Sequence, residues 1–381
     1  MGKITEHVKS FCKKADLLLF FLCLAASIFG IIAISTATAY EGSFKYVAVQ
    51  IAAMIIGIGL FVLFTIIDID VIADKWAYIF GFCIALIVLL AIFGDADNTG
   101  NKSWIRFLGI GIQPSEIIKV AYIVLFAKHI TYLKSFKSLN HVFSIAQLVV
   151  HFGFFFGILI VVSSDLGNAL IFFFIFLCML FFAGIKLYWF VLGAAGIAAL
   201  IPFAWNHVLR EDQKLRILAP YDSSIDPDGS SVSWQANQSK IALASGRLTG
   251  TGIGEGTQTQ SGSIPAQHTD FIFAVIGEEM GMIGCLLVFL LLLAIIIRCV
   301  YVGLHSGSTL GMLVCVGVAG ATFFQMFENI GMCIGLTPVI GITLPFFSYG
   351  GSSMFSMFAA MGIVSGVKYK VKPVQFRSYY S

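Results

Sequence analysis

The chain has 381 residues, of which 59% are hydrophobic and only 11% charged, against roughly 25% charged in an average soluble domain. A mean hydropathy of +0.94 and a net charge of +3 exclude two or three soluble domains of this length, and no basic face interleaved with aromatics offers a surface for nucleic acid. Thirty-eight glycines and 8 prolines without periodicity exclude collagen-like and low-complexity chains, which leaves a polytopic membrane protein.

A helix crosses a bilayer with about 20 apolar residues. In chain order such runs fall near 16–39, 46–67, 76–94, 115–133, 145–163, 167–184, 187–205, 272–303, 309–335 and 347–367. The fifth to seventh are separated only by Ser163-Ser164-Asp165 and Gly184-Ile185-Lys186. The first follows Lys13-Lys14 and ends in Ala37-Thr38-Ala39, like a cleavage site, but its apolar core exceeds the roughly 7–15 residues of a signal peptide, so it reads as an uncleaved helix. The fold expected is an all-α polytopic integral membrane protein, one membrane domain over 1–381 with about ten transmembrane helices. The eight cysteines lie in or beside apolar runs without a Cys-x-x-Cys pair and read as small buried hydrophobes.

Basic residues in short loops set the orientation. With ten spans, Lys3, Lys9, Lys13, Lys14, Lys75, Lys134, Lys137, Lys186, Arg298 and the tail residues Lys368, Lys370, Lys372 and Arg377 share one side. The short loops opposite hold only Lys45, Lys102 and Arg106. Both termini and the tail 368–381 are therefore expected in the cytoplasm, and the long polar segment 206–271 outside it. That segment is too short and too poor in apolar residues for a domain of its own and is expected to lie on the membrane domain, with a short interfacial helix over Ser233 to Ala244.

Ionisable residues within spans are costly and mark function. Glu116 and Lys119 share a helix face after Gln113-Pro114-Ser115, and three readings stand: a capping acid, a structural ion pair, or a cation facing an outward cavity that holds an anion. Asp165 sits where an acid stabilises a helix start, or where a site could use it. Of the adjacent Glu278 and Glu279, at most one is expected to face the cavity of Asp270, and Glu328 is a further acid in an apolar stretch. His129 and His151 have no partner at metal-ligand spacing and read as core histidines. Gly250 to Gly256 lacks the strand and helix of a phosphate loop and reads as flexible backbone. Around Pro345, Tyr349 and Gly350-Gly351-Ser352-Ser353 an irregular segment is expected at membrane depth, tolerated where protein buries it or where it lines a cavity.

These stretches resemble the SEDS family (shape, elongation, division and sporulation), which includes RodA, FtsW and SpoVE. The run from Lys102-Ser-Trp-Ile to Gln113-Pro-Ser-Glu-Ile-Ile-Lys119, Asp165-Leu-Gly, and the loop motifs Trp234-Gln-x-x-Gln238-Ser, Gly254-x-Gly-Thr-Gln258 and His268-Thr-Asp-Phe are similar to its signatures. So is Gly335-Leu-Thr-Pro-Val-Ile-Gly-Ile-Thr-Leu-Pro-Phe-Phe-Ser-Tyr-Gly-Gly-Ser-Ser353. Departures are Ala266 for a common Glu, Ser163-Ser164 for Gln-Pro, and Val49 where a basic residue is frequent, with Lys45 one turn away. The tail, the N-terminus and the Gly-Thr-Gln look RodA-like, while Ser103 leans toward FtsW.

The resemblance implies an inverting peptidoglycan glycosyltransferase that polymerises lipid II into β-1,4-linked strands at the outer face of the bacterial cytoplasmic membrane, releasing undecaprenyl pyrophosphate. It carries the catalytic acid to Asp270, and substrate contacts to Glu116, Lys119, Lys102, Trp104, Arg106, Asp165, Gln235, Gln238, His268 and Ser348. A divalent cation (Mg2+ or Mn2+) is an expected aid to the leaving group, with no ligands assigned. Expected partners are lipid II and the growing strand, a class B penicillin-binding protein whose transpeptidase crosslinks the product, and other membrane proteins of elongation or division. A lipid II flippase and a non-catalytic scaffold for wall enzymes are the alternatives, and hydropathy alone does not separate them.

Overall fold

A computed structural model describes residues 11, 13–42, 44–95, 102–107, 110–207, 209–222 and 224–369. Most of the expected tail, 370–381, lies outside the described residues. The apolar runs form helices α1 (Leu17–Ala37), α2 (Lys45–Ile66), α4 (Trp76–Phe93), α5 (Pro114–Phe136), α6 (Val142–Ile158), α7 (Leu166–Ala183), α8 (Leu187–His207), α12 (Ile272–Leu304), α13 (Thr309–Cys333) and α14 (Gly351–Tyr369). Eight of these, α6 taken through its closing π-turn to Ser163, are long and apolar enough to cross a membrane. Helices α5 and α14, of 23 and 19 residues, bring the membrane-length helices among the described residues to ten.

Short elements fill the connections. Asp68 caps α3 (Ile69–Asp74) by accepting the Asp70 N–H at 3.1 Å. A hairpin that the sequence reading did not anticipate, β1 (Ile105–Phe107) with β2 (Ile110–Ile112), pairs Arg106 with Gly111. Gly111 belongs there because a Cβ would press on the Trp104 ring, 2.9 Å from its Cε3. The long segment folds into α9 (Glu211–Leu218), α10 (Trp234–Gly246) and α11 (Thr257–Gln260), with α10 close to the expected interfacial helix.

The core is centred on α13 and α14, whose residues are buried along most of their length. Small residues let backbones meet, as expected where apolar burial cannot drive helices together in lipid. At Gly362 and Gly366 of α14 a Cβ would lie 2.7 Å from the Phe61 and Phe64 carbonyls of α2. At the end opposite the long segment, the buried Asp16 caps α1 and shares the Arg298 Nε–H between its two oxygens at 2.9 and 3.1 Å, with Lys368 at 3.7 Å. Helix α8 differs from the other membrane-length helices: no residue of it is fully buried, and it touches the core chiefly at its start, through the half-buried Trp189 and Phe190.

Helix α12 is not one straight rod. Gly281 takes φ 66° and ψ −162°, which breaks it into an upper part and the membrane-length part that follows. The freed backbone is satisfied by the loop after α10. Met282 and Ile283 donate to the Arg247 and Leu248 carbonyls at 2.9 and 3.2 Å, while Thr251 and Gly252 donate to the Glu278 and Glu279 carbonyls at 3.0 and 3.1 Å. The loop around Gly250 is thus wedged into the kink. Between α13 and α14, residues 334–350 form a non-helical strap that is largely buried, as anticipated for that stretch.

Candidate active site

Asp270 sits at the junction between the long segment and α12. Ala266, at φ 44°, turns the chain so that its carbonyl accepts the N–H groups of Thr269, Asp270 and Phe271 at 3.0, 3.1 and 3.3 Å. From α13, Asn329 Nδ2 donates to the Asp270 and Ile342 carbonyls, both at 2.7 Å, tying the junction to the strap. Gly341 faces the carboxylate at φ 72°, and a Cβ there would stand 3.3 Å from Asp270 Oδ2. Burial raises the Asp270 carboxyl to about 6, the Thr269 hydroxyl opposing and the charge of Asp165 reinforcing the shift. A carboxylate so tuned is ionised at neutral pH yet more basic than an ordinary aspartate, as a general base requires.

Asp165 lies across the strap from Asp270. It caps α7, accepting the Asn168 N–H at 2.9 Å and Asn168 Nδ2 at 2.7 Å, and takes the Ser103 hydroxyl at 3.0 Å. Gly167 lets the strap approach, since a Cβ would meet the Ile340 carbonyl at 3.0 Å. The Ser103 bond and that from the Lys102 N–H to the Ser163 carbonyl, 3.0 Å, anchor the hairpin beside α7. The Lys102 and Arg106 side chains are exposed, and Trp104 is half-buried.

His268 packs between Tyr46 and Tyr349, with ring centroids 4.7 and 5.6 Å away, and its carbonyl accepts the Tyr349 N–H at 2.8 Å. Burial lowers its pKa, against the charge of Glu41. Ser348 holds backbone together: its hydroxyl donates to the Thr269 carbonyl at 2.6 Å and accepts the Leu344 N–H at 2.8 Å. Gln50 completes the staple, donating to the Ser348 carbonyl at 3.0 Å and accepting the Gly350 N–H at 3.1 Å.

Glu116 and Lys119 form the ion pair, 2.8 Å long, with side chains only 2% and 1% exposed. Lys119 also donates to Gln325 Oε1 of α13 at 3.2 Å. In this conformation neither charge faces an open cavity. Gln235 and Gln238 lie on α10, half-buried and without a hydrogen bond among the described residues. Their helix is fixed by the Ser239 hydroxyl on the Cys333 carbonyl at 2.8 Å. The structure thus gathers Asp270, Asp165, His268 and Ser348 about the strap and attaches the hairpin at Asp165, with the Glu116–Lys119 pair bonded to α13.

Glu278 faces the loop: it accepts the Gln258 and Thr259 N–H groups, both at 2.8 Å, and the Thr259 hydroxyl at 2.7 Å. His129 and His151 contact each other through Nδ1 atoms 2.9 Å apart. They line a cavity of about 640 Å3 with Trp76, Phe80 and Phe154, apolar and away from Asp270. Sequence reasoning missed Asn329, Gln325 and Gly341. The signal was present for the first two, which with Glu328 put three polar groups at helical spacing in an apolar run. Among the described residues no three His, Cys, Asp or Glu side chains converge.

Ten membrane-length helices carrying a tuned carboxylate at a loop-to-helix junction define a polytopic membrane protein with its candidate chemistry at one end of the bundle. The chain belongs to the cell cycle protein family of FtsW, RodA and SpoVE, whose profile matches residues 15–373. It is 35% identical over 297 residues to the peptidoglycan glycosyltransferase MrdB of Escherichia coli K12, covering 77% of this chain and 78% of that one. To the stage V sporulation protein E of Bacillus subtilis it is 33% identical over 92% of this chain and 96% of that one. A chain of a peptidoglycan synthase complex, solved for the structural coordination of polymerization and crosslinking, superposes with a TM-score of 0.77 at 25% identity, over 93% and 97% of the two chains. The Thermus thermophilus rod shape determining protein RodA shares the fold, with a TM-score of 0.69 at 22% identity over 94% and 98%.

Proposed function

We propose that the protein is a peptidoglycan glycosyltransferase that polymerises lipid II, and that Asp270 is its general base. The observation that carries the mechanism is the Asp270 carboxyl, raised by burial to about 6, with the positive-φ Gly341 beside it, where a Cβ would stand 3.3 Å from Oδ2. The acceptor's GlcNAc 4-hydroxyl gives its proton to Asp270 as its oxygen attacks the donor's anomeric carbon. The bond from that carbon to the pyrophosphate breaks, and undecaprenyl pyrophosphate leaves without needing a proton. One displacement inverts the α-linked donor into a β-1,4 linkage. We assign the exposed Lys102 and Arg106, on the hairpin tied to Asp165, to meet the leaving charge. Glu116 and Lys119 hold α5 to α13 beneath the site.

The relatives named glycosyltransferases support the activity, and the resemblance to a chain of a synthase complex supports a penicillin-binding transpeptidase as partner. The basic asymmetry supports cytoplasmic termini, with Asp270 at the outer face. Purified protein incubated with lipid II in detergent, with and without the partner and Mg2+ or Mn2+, should give glycan polymer. Asp270→Asn should fold and still bind lipid II but lose about 10²–10⁴ in rate. A flippase would make no polymer in detergent, and unchanged turnover by Asp270→Asn would remove the base assignment.

A further inference from the structure

The loop layer holds a groove that the mechanism above leaves unused. It lies between α9, α10 and the strap, has a volume of about 490 Å3, and is walled by Arg216, Asp226, Asp228, Asn237 and Lys240 over Val339. Arg216 and Val339 also line a small pocket of about 50 Å3 beside Asp165, so the groove adjoins that carboxylate. Neither Arg216 nor Lys240 has an ion-pair partner among the described residues. Asp226 is held ionised by the N–H groups of Ser233, Ser231 and Ser230 at 2.9, 3.0 and 3.2 Å. Asp228, exposed on the same turn, adds a second negative charge. Two cations and two anions therefore share one polar groove built from loop elements rather than from the spanning helices.

We propose that this groove is a subsite for the peptide stem of lipid II, the chain on the muramyl sugar that bears both carboxylates and an amine. The inference rests on the glycosyltransferase reading. A prenyl pyrophosphate is tethered at the membrane, and as a purely anionic group it would be repelled by Asp226 and Asp228. A bare sugar has no use for four charges. A zwitterionic peptide matches both signs, its carboxylates meeting Arg216 and Lys240 and its amine meeting Asp228 and Asp226. Five residues of extended peptide reach roughly 17 Å, enough to lie along the groove while its sugar sits near Asp270.

The test compares polymerisation kinetics of the purified full-length protein on two substrates: lipid II with a native stem, and lipid II with stem carboxylates amidated and amine acetylated. Wild type should show the lower KM on the native stem. Arg216→Gln/Lys240→Gln should raise that KM about tenfold with kcat within twofold, and should remove the difference between substrates, as expected for lost charge-assisted contacts remote from the reacting atoms. Asp228→Asn, at an exposed position that disturbs no packing, should raise it about threefold on the native stem alone. Equal losses of kcat on both substrates, or an unchanged KM, would overturn the subsite. If wild type polymerises neither lipid, the glycosyltransferase reading itself fails and the subsite falls with it, a result distinct from selective loss in the variants.

Discussion

Asp270 makes two different demands on one carboxyl, and both can be measured. With its pKa raised to about 6, the base form is lost as pH falls through 6. The rate of polymerisation should therefore climb to a plateau above about pH 7, and a profile flat from pH 5 to 8 would contradict the assignment. The same shift costs stability. An unfolded aspartate titrates near 3.9, so between about pH 4 and 6 the native state holds the proton more tightly and stability falls as pH rises through that window. Asp270→Asn has no charge to bury. It should melt a few degrees above wild type at pH 7.5 and level with it at pH 4, in differential scanning fluorimetry. Lys119 obeys the opposite logic, because its charge is already matched. Lys119→Met strands the buried Glu116 and should cost on the order of 3–5 kcal/mol, whereas Glu116→Gln/Lys119→Met should recover most of that loss. A double variant as unstable as the single would show that Lys119 answers to something other than Glu116.

At the scale of elements, what was legible followed from the chemistry of each stretch. Apolar runs gave the helices, and Asp165 and Pro114 marked helix starts by side-chain and backbone rules that need no tertiary context. The kink in α12 was not legible. Gly277, Gly281 and Gly284 look alike in sequence, and only the wedged loop selects Gly281, which is a long-range fact. The hairpin was hidden for a similar reason: three-residue strands carry almost no periodic signal. In the site, the motifs pointed to Asp270 and the strap, but not to the role of Ser348, whose hydroxyl is consumed by backbone. Gly281→Ala tests the kink. A Cβ there would strike the backbone of Leu248 and Gly250 at a φ that L-residues rarely adopt. The expected result is easier proteolysis within 247–256 and a loss of activity, while the helical circular dichroism is retained. A variant with wild-type loop protection would mean that the wedge is incidental.

For the whole molecule, sidedness is written in charge. Asp16 with Arg298 and Lys368 joins α1, α12 and α14 at one end, while Asp270, Asp165 and the hairpin occupy the other. Short-loop lysines gather at the Asp16 end, Lys75, Lys137 and Lys186 among them, and on the positive-inside rule we propose that this end faces the cytoplasm. An even number of spans keeps the basic short loops on one side; nine or eleven would place them on both. The arrangement also suits the chemistry, since a polymerising site must open where the wall is built. Ser230, exposed on the loop between α9 and α10, and Ser138, exposed between α5 and α6, lie at opposite ends and can be made into reporters. In a cysteine-free background, Ser230→Cys should react with an impermeant maleimide in intact spheroplasts, and Ser138→Cys only after the membrane is opened. The reverse pattern would put Asp270 in the cytoplasm, away from any wall to build, and the glycosyltransferase reading would fail with the orientation.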